Sequence, residues 1–405
     1  MAARILIFFF SFFLFSLSMS AQKKDIAQAK TLLKAGKDLD KAEDLVRKVL
    51  ADTAKQYDEK HWDLLFNIIK KKYDNINERI YLKQKYDTTA VFNNALKLFE
   101  VSDTVSSLSV AEKKQGAKAK QEKRYAEVLN IYRPNLYSGG LYFINKKEYE
   151  KAYQLLDTYI ACSHKEIFKE YNYQENDTLL PYASYWAVYS GYKMDNPKKA
   201  LKHVYSAFKT KGYHSTLLQY LADVYKMEND TARYLQTLKE GFSEYPTIPF
   251  FYVRTIDHYS ELNQWEEVLS FGSKALQASP NNRWLQIAKT TAQLNLEQYQ
   301  ECIALCDSII QQIDTIPEFY LNAGLAYFNQ GIQLDKYRNR HSQKIRQLYS
   351  EAKPYLERYR LLKPDDVNKW SLPLYTIYLN LNLGKEFDEI DQIIKQKKRS
   401  TANGK

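Results

Sequence analysis

Three cysteines, six histidines and the scattered carboxylates are the groups in this chain that could act as nucleophiles, metal ligands or acid–base catalysts. Cys162 and His164 form a Cys-x-His pair, but two ligands fall short of a zinc site, which needs three or four from the protein. Cys302 and Cys306 stand four residues apart. On a helix that spacing puts the Cβ atoms about 5–6 Å apart, wider than the roughly 3.5–4.5 Å of a disulfide. Both therefore read as small core residues. The acidic pairs Asp365-Asp366 and Glu266-Glu267 read as turn or solvent-facing helix residues, with nothing to gather them into a general acid and base. Phosphate loops, nucleophile elbows and zincin helices are missing from the sequence. The expectation is a protein that is not an enzyme, with no catalytic residue, no cofactor and no metal.

Tyrosine is what the chain has in quantity, 34 of its 405 residues. Tyr182, Tyr185, Tyr189 and Tyr192 fall at i, i+3, i+7 and i+10, on one side of a helix. Rings that carry hydroxyls suit a peptide backbone, and they also stack on sugar rings. Packing against neighbouring helices uses the same residues. All three readings stand at this point.

The elements that would position such a stripe are helical. With 12 Gly, 10 Pro and a hydrophobic fraction of 45%, the chain has a core to bury and too few turn formers for an all-β fold. From Leu179 onward apolar residues recur at helical spacing in short segments broken at Asn, Asp, Pro or Gly. Units begin at Pro181, Ser215, Pro249, Arg283 and Pro317, each 34 residues after the last. The second carries Leu218, Leu221, Ala222 and Tyr225, then Leu238, Gly241 and Pro246. The third carries Tyr252, Tyr259, Leu262, Trp265, Ala275 and Pro280, and the fifth Tyr320, Gly324 and Tyr327 followed by Ala352, Leu356, Tyr359 and Pro364.

In these residues the chain resembles the tetratricopeptide repeat (TPR) family, over about 135 to 364. The resemblance implies an all-α fold, a right-handed superhelical solenoid of antiparallel helix pairs. It also implies a concave groove, lined by first-helix positions, that binds an extended peptide. Those positions are Tyr182, Tyr185, Tyr189 and Tyr192, then Gln219, Asp223 and Lys226, then Asp257 and Trp284. Val268 and Tyr234 replace the small residue of the family pattern, which predicts looser or shifted packing there.

Around this array the sequence predicts further segments. Arg4, the apolar run Ile5 to Leu17 and the small residues Ser18 to Ala21 make a cleavable signal peptide over 1–21. Degenerate helical repeats follow over 22–132, with helical patterns at 62–72, 76–84 and 90–100. The TPR array spans 133–364, with inserts at about 162–176 and 332–347. Capping helices occupy 365–395 and a polar tail 396–405. Export places the protein in the periplasm or outside the cell, in a Gram-negative envelope, as an interaction scaffold for a protein or peptide partner. The alternative is a glycan-binding module that uses the groove aromatics.

The formal charge is +11, with Lys336, Arg338, Arg340, Lys344 and Arg346 clustered in the second insert. Export turns that charge away from nucleic acid and toward anionic glycans, the envelope surface or an acidic protein. Seven strings of Asp, then Ser or Thr, then an aliphatic residue or Thr are similar to an O-glycosylation signal of some Gram-negative bacteria. The acceptors would be Thr53, Thr88, Thr104, Thr178, Thr231, Ser308 and Thr315, although Asp and Thr also cap helices. The intact mass of the protein from its native host should fit a chain cut after Ser20 or Ala21 plus attached sugar. A mass equal to the bare cut chain removes the glycosylation.

Overall fold

The computed structural model describes residues 21–52, 58–112, 115–335 and 342–403. The expected signal segment, Thr53, and Lys336, Arg338 and Arg340 lie outside the described residues. Among the described residues every regular element is helical, and no helix is long and apolar enough to cross a membrane. The chain divides into two compact units, Met1–Thr231 and Ala232–Lys405.

The N-terminal unit begins with α1 (21–35), α2 (Leu39–Leu50), α3 (Glu59–Tyr81) and α4 (Thr88–Glu112). Gly36, at φ 65°, makes the turn between the first two. The patterns at 62–72 and 76–84 belong to one 23-residue helix, α3, because Tyr73 is buried and keeps the apolar face continuous between them. Glu43 of α2 is buried and bonded by Arg47 at 2.8 Å, Lys72 at 2.6 Å and Lys97 at 2.8 Å, tying α2 to α3 and α4. Burial alone would raise its pKa, but the hydrogen bonds from Lys72, Lys97 and Arg47 win and lower it to about 2.

Next come α5 (Gln115–Asn145), α6 (Tyr149–Ala161), two short 3-10 turns, α7 (Tyr173–Asn176) and α8 (Leu180–Lys193). The second helix of that pair is broken into α9 (Pro197–Leu201) and α10 (Val204–Ala207), and α11 (His214–Met227) follows. The surplus between α6 and α8 is held down by Arg133 of α5. Its guanidinium lies 3.7 Å from the Tyr159 ring centre and 3.8 Å from that of Tyr173, and pairs with Asp177 at 2.6 Å. A desolvated guanidinium between two aromatic faces and a carboxylate is a strong anchor.

The C-terminal unit holds α12 (Thr231–Glu244), α13 (Pro249–Glu261), α14 (Trp265–Ala278), α15 (Arg283–Asn295) and α16 (Tyr299–Ile310), then α17 (Pro317–Asp335), α18 (Ser342–Leu362), α19 (Val367–Asn380) and α20 (Gly384–Asn403). Of the surplus expected at 332–347, residues 332–335 belong to the 19-residue α17, with Gly331 buried, and residues 342–347 belong to the 21-residue α18, where Ile345, Leu348 and Tyr349 are buried. Residues 336–341 lie outside the described residues. The expected tail is helical through Asn403, with Lys395 paired to Asp391 at 2.5 Å and Lys397 donating to Asn368 at 2.5 Å. Val268 and Tyr234 are both buried. The small residues lie further along, at Gly241 and Gly272.

The 34-residue step is visible in the backbone. Asp195, Asn229, Asn263 and Glu297 adopt φ of 49°, 57°, 54° and 60°, each ending the first helix of its pair. After each, an N–H reaches back to the carbonyl five residues earlier: Asn196 to Gly191 at 3.0 Å, and Asp230 to Tyr225, Gln264 to Tyr259 and Gln298 to Gln293 at 2.9 Å. Lys147 and Asn382 close α5 and α19 in the same way.

In some pairs the two helices approach closely at a glycine. A Cβ on Gly191 would collide with the backbone of Ala200, and one on Gly324 would lie 2.7 Å from Leu356. Gly191→Ala should therefore destabilise the N-terminal unit by roughly 1–3 kcal/mol. Gly384→Ala, where an added Cβ meets nothing within 4 Å, should leave the thermal melt unchanged or raise it.

Candidate functional site

Pro181 in the first turn and the Asp195 turn at the other end set α8, which presents Tyr182, Tyr185, Tyr189 and Tyr192 along one side. The stripe does not stand alone. Tyr213, in the loop before α11, lies 4.6 Å from the Tyr185 ring and 6.4 Å from that of Tyr182. Tyr220 of α11 stacks on Tyr192 at 4.8 Å and lies 5.6 Å from Tyr189. Trp186 stands edge-on to Tyr189 at 5.6 Å and lies beside the hydroxyl of Tyr137 on α5. Tyr149 meets Tyr189 at 6.0 Å. Three successive first helices thus join in one aromatic face.

The four stripe residues differ in burial. Tyr185 is 3% exposed and sits in a core with Val188, Ala207, Leu217 and Leu221. Burial first, then its hydrogen bond with Tyr220, pushes its pKa well above the ordinary tyrosine value. Tyr182, Tyr189 and Tyr192 are half-buried, as are Trp186 and Tyr220. Tyr192 donates to Asp223 at 3.2 Å. Gln219 is half-buried and Lys226 exposed on α11. Trp186, Tyr213, Tyr220 and Tyr149 are absent from the sequence-based set. The family register, which counts equivalent positions along first helices, skips a loop residue and residues one place along.

In the C-terminal unit Asp257 is exposed on α13. Trp284, on α15, is 37% exposed, with its ring 6.2 Å from Tyr252, whose hydroxyl accepts from Asn282 at 2.9 Å.

The groups first considered for chemistry are occupied otherwise. All three cysteines are free thiols and buried. Burial pushes Cys162 up to about 11, and its Sγ donates to the Thr158 carbonyl at 3.2 Å. His164 is exposed and bonded to Gln174 at 2.9 Å. Cys302 donates to the carbonyl of Thr290 at 3.3 Å. Cys306 is shifted up by its hydrogen bond with Cys302 and by burial.

Of the candidate acceptor residues, Thr178, Thr231, Ser308 and Thr315 are exposed, while Thr88 and Thr104 are half-buried. Two of the associated aspartates cap backbone: Asp87 accepts from Thr89 N–H at 2.8 Å and Asp177 from Leu179 N–H at 2.9 Å.

No protein-family model matches the sequence, and no curated protein matches it. Among solved structures the chain is similar to the C-terminal part of a TPR repeat-containing protein from Cytophaga hutchinsonii. Identity there is 13% and the TM-score 0.42, over 63% of this chain and 92% of that one. It is similar to MamA (AMB-1) at 13% identity and a TM-score of 0.34, over 47% and 94%. It is also similar to yeast Tom70 at 13% identity and 0.27, over 93% and 91%.

Tyr185→Ala should cost about 3–5 kcal/mol in urea unfolding of the N-terminal unit. Tyr192→Phe, which keeps the ring and removes one hydrogen bond, should cost about 1 kcal/mol or less.

Proposed function

We infer that this chain is an exported, non-catalytic TPR scaffold of the cell envelope, and that a segment of a partner protein lies against the first-helix face of its N-terminal unit. The observation that carries this reading is the half-exposed aromatic face on α5, α8 and α11. Burying Tyr185 beneath it fixes the surrounding rings, so a partner would meet a surface that pays little ordering entropy. The buried anchor Arg133 holds the neighbouring insert, so the face borders structure that does not have to form on binding. Glycosylation at the exposed Thr178, Thr231, Ser308 or Thr315 would leave these rings untouched.

Affinity purification of the tagged mature chain from native envelope tests the reading, with Tyr189→Ala/Tyr220→Ala as the control. Tyr185 is left alone because its removal damages the core. Specific proteins should be retained by the wild type and lost by the double variant. Equal retention by both, or retention on polysaccharide columns in place of any protein, overturns the scaffold reading.

A further inference from the structure

We propose, on the scaffold reading above, that the aromatic face on α8 and α11 takes an extended, proline-containing and acidic segment of its partner. Three features of the face point there.

The first is its relief. Tyr182, Trp186, Tyr189, Tyr192, Tyr213 and Tyr220 meet one another mostly at tilted or edge-on angles, so they offer a corrugated floor of ring faces and hydroxyls. Shallow grooves between aromatic rings fit the pyrrolidine ridges of a polyproline II segment. Such a segment is already extended and loses little entropy on binding.

The second is charge. Lys193, exposed at the C-terminal end of α8, has its ammonium 5.6 Å from the Tyr189 ring centre and 5.2 Å from that of Tyr192. Among the described residues it lies over these two rings and forms no ion pair with a carboxylate. An acidic side chain on the partner can pair with Lys193 while the cation keeps its rings, whereas a basic partner is repelled. Asp223 on α11 already accepts from Tyr192.

The third feature weighs against sugar. Carbohydrate stacking uses open, flat ring faces flanked by groups that bond several hydroxyls. Tyr192 and Tyr220 are the near-parallel pair, at 23°, and each covers a face of the other.

Calorimetric titration of the mature chain separates the outcomes. The probes are a peptide of alternating proline and glutamate, its proline–lysine counterpart, an alanine–glutamate peptide and a neutral glucan oligosaccharide. The proline–glutamate peptide should bind most tightly. Lys193→Glu should weaken it by roughly fivefold or more, and Lys193→Gln by less. Both variants sit on an exposed position, and unchanged melting curves will show that they fold. Equal binding of the two proline peptides, preference for the alanine–glutamate peptide, binding of the glucan alone, no binding at all, or indifference to Lys193→Glu each overturns the proposal. If envelope capture still depends on Tyr189 and Tyr220 in any of those cases, the scaffold reading stands and the acidic proline ligand falls.

Discussion

The left-handed turn at the end of each first helix is the constraint on which the remaining structure depends. Asp195, Asn229, Asn263 and Glu297 accept a conformation that costs an L-residue about 1–2 kcal/mol, and each uses it to return an N–H to the carbonyl five residues back. Repeating the turn lets one apolar face after another find cover, because a single helix pair cannot bury its own. In the run from α13 to α16 helix lengths stay at 12 to 14 residues.

The positions where the pattern yields are the informative ones. In the N-terminal unit the surplus between α6 and α8 is folded over Arg133. In the C-terminal unit the described part of the surplus belongs to α17 and α18, where Ile345 is buried. The buried Glu43, with its three cations, does for α2 to α4 what repeat packing does elsewhere. A buried charge of this kind tolerates few arrangements.

Much of the repeat was legible because its marks are local. Asn, Asp and Pro at 34-residue steps, Gly36 between α1 and α2, and Cys302 and Cys306 as core residues all follow from spacing. The aromatic face was legible only in part. Helical periodicity found the four tyrosines of α8 but could not say that Tyr185 points into the core while Tyr189 looks outward. That difference is made by Tyr213 and Leu217, which arrive from the next pair. Arg133 was invisible for the same reason: its partners Tyr159, Tyr173 and Asp177 are strung over the following 44 residues. The break between α9 and α10 was equally hidden, since His203 is fixed by Asp157, 46 positions earlier, at 2.6 Å.

The three sealed thiols carry a different consequence. Thiolate is the reactive form, and a sulfur sealed away from water is slow to meet oxidants and alkylating reagents. Cys162 lies in the N-terminal unit, Cys302 and Cys306 in the C-terminal one. Each unit therefore carries its own gauge of breathing. The rate at which a small alkylating reagent reaches Cys162, set against the rate for the other two, measures how often each half of the chain opens to solvent, with no label introduced.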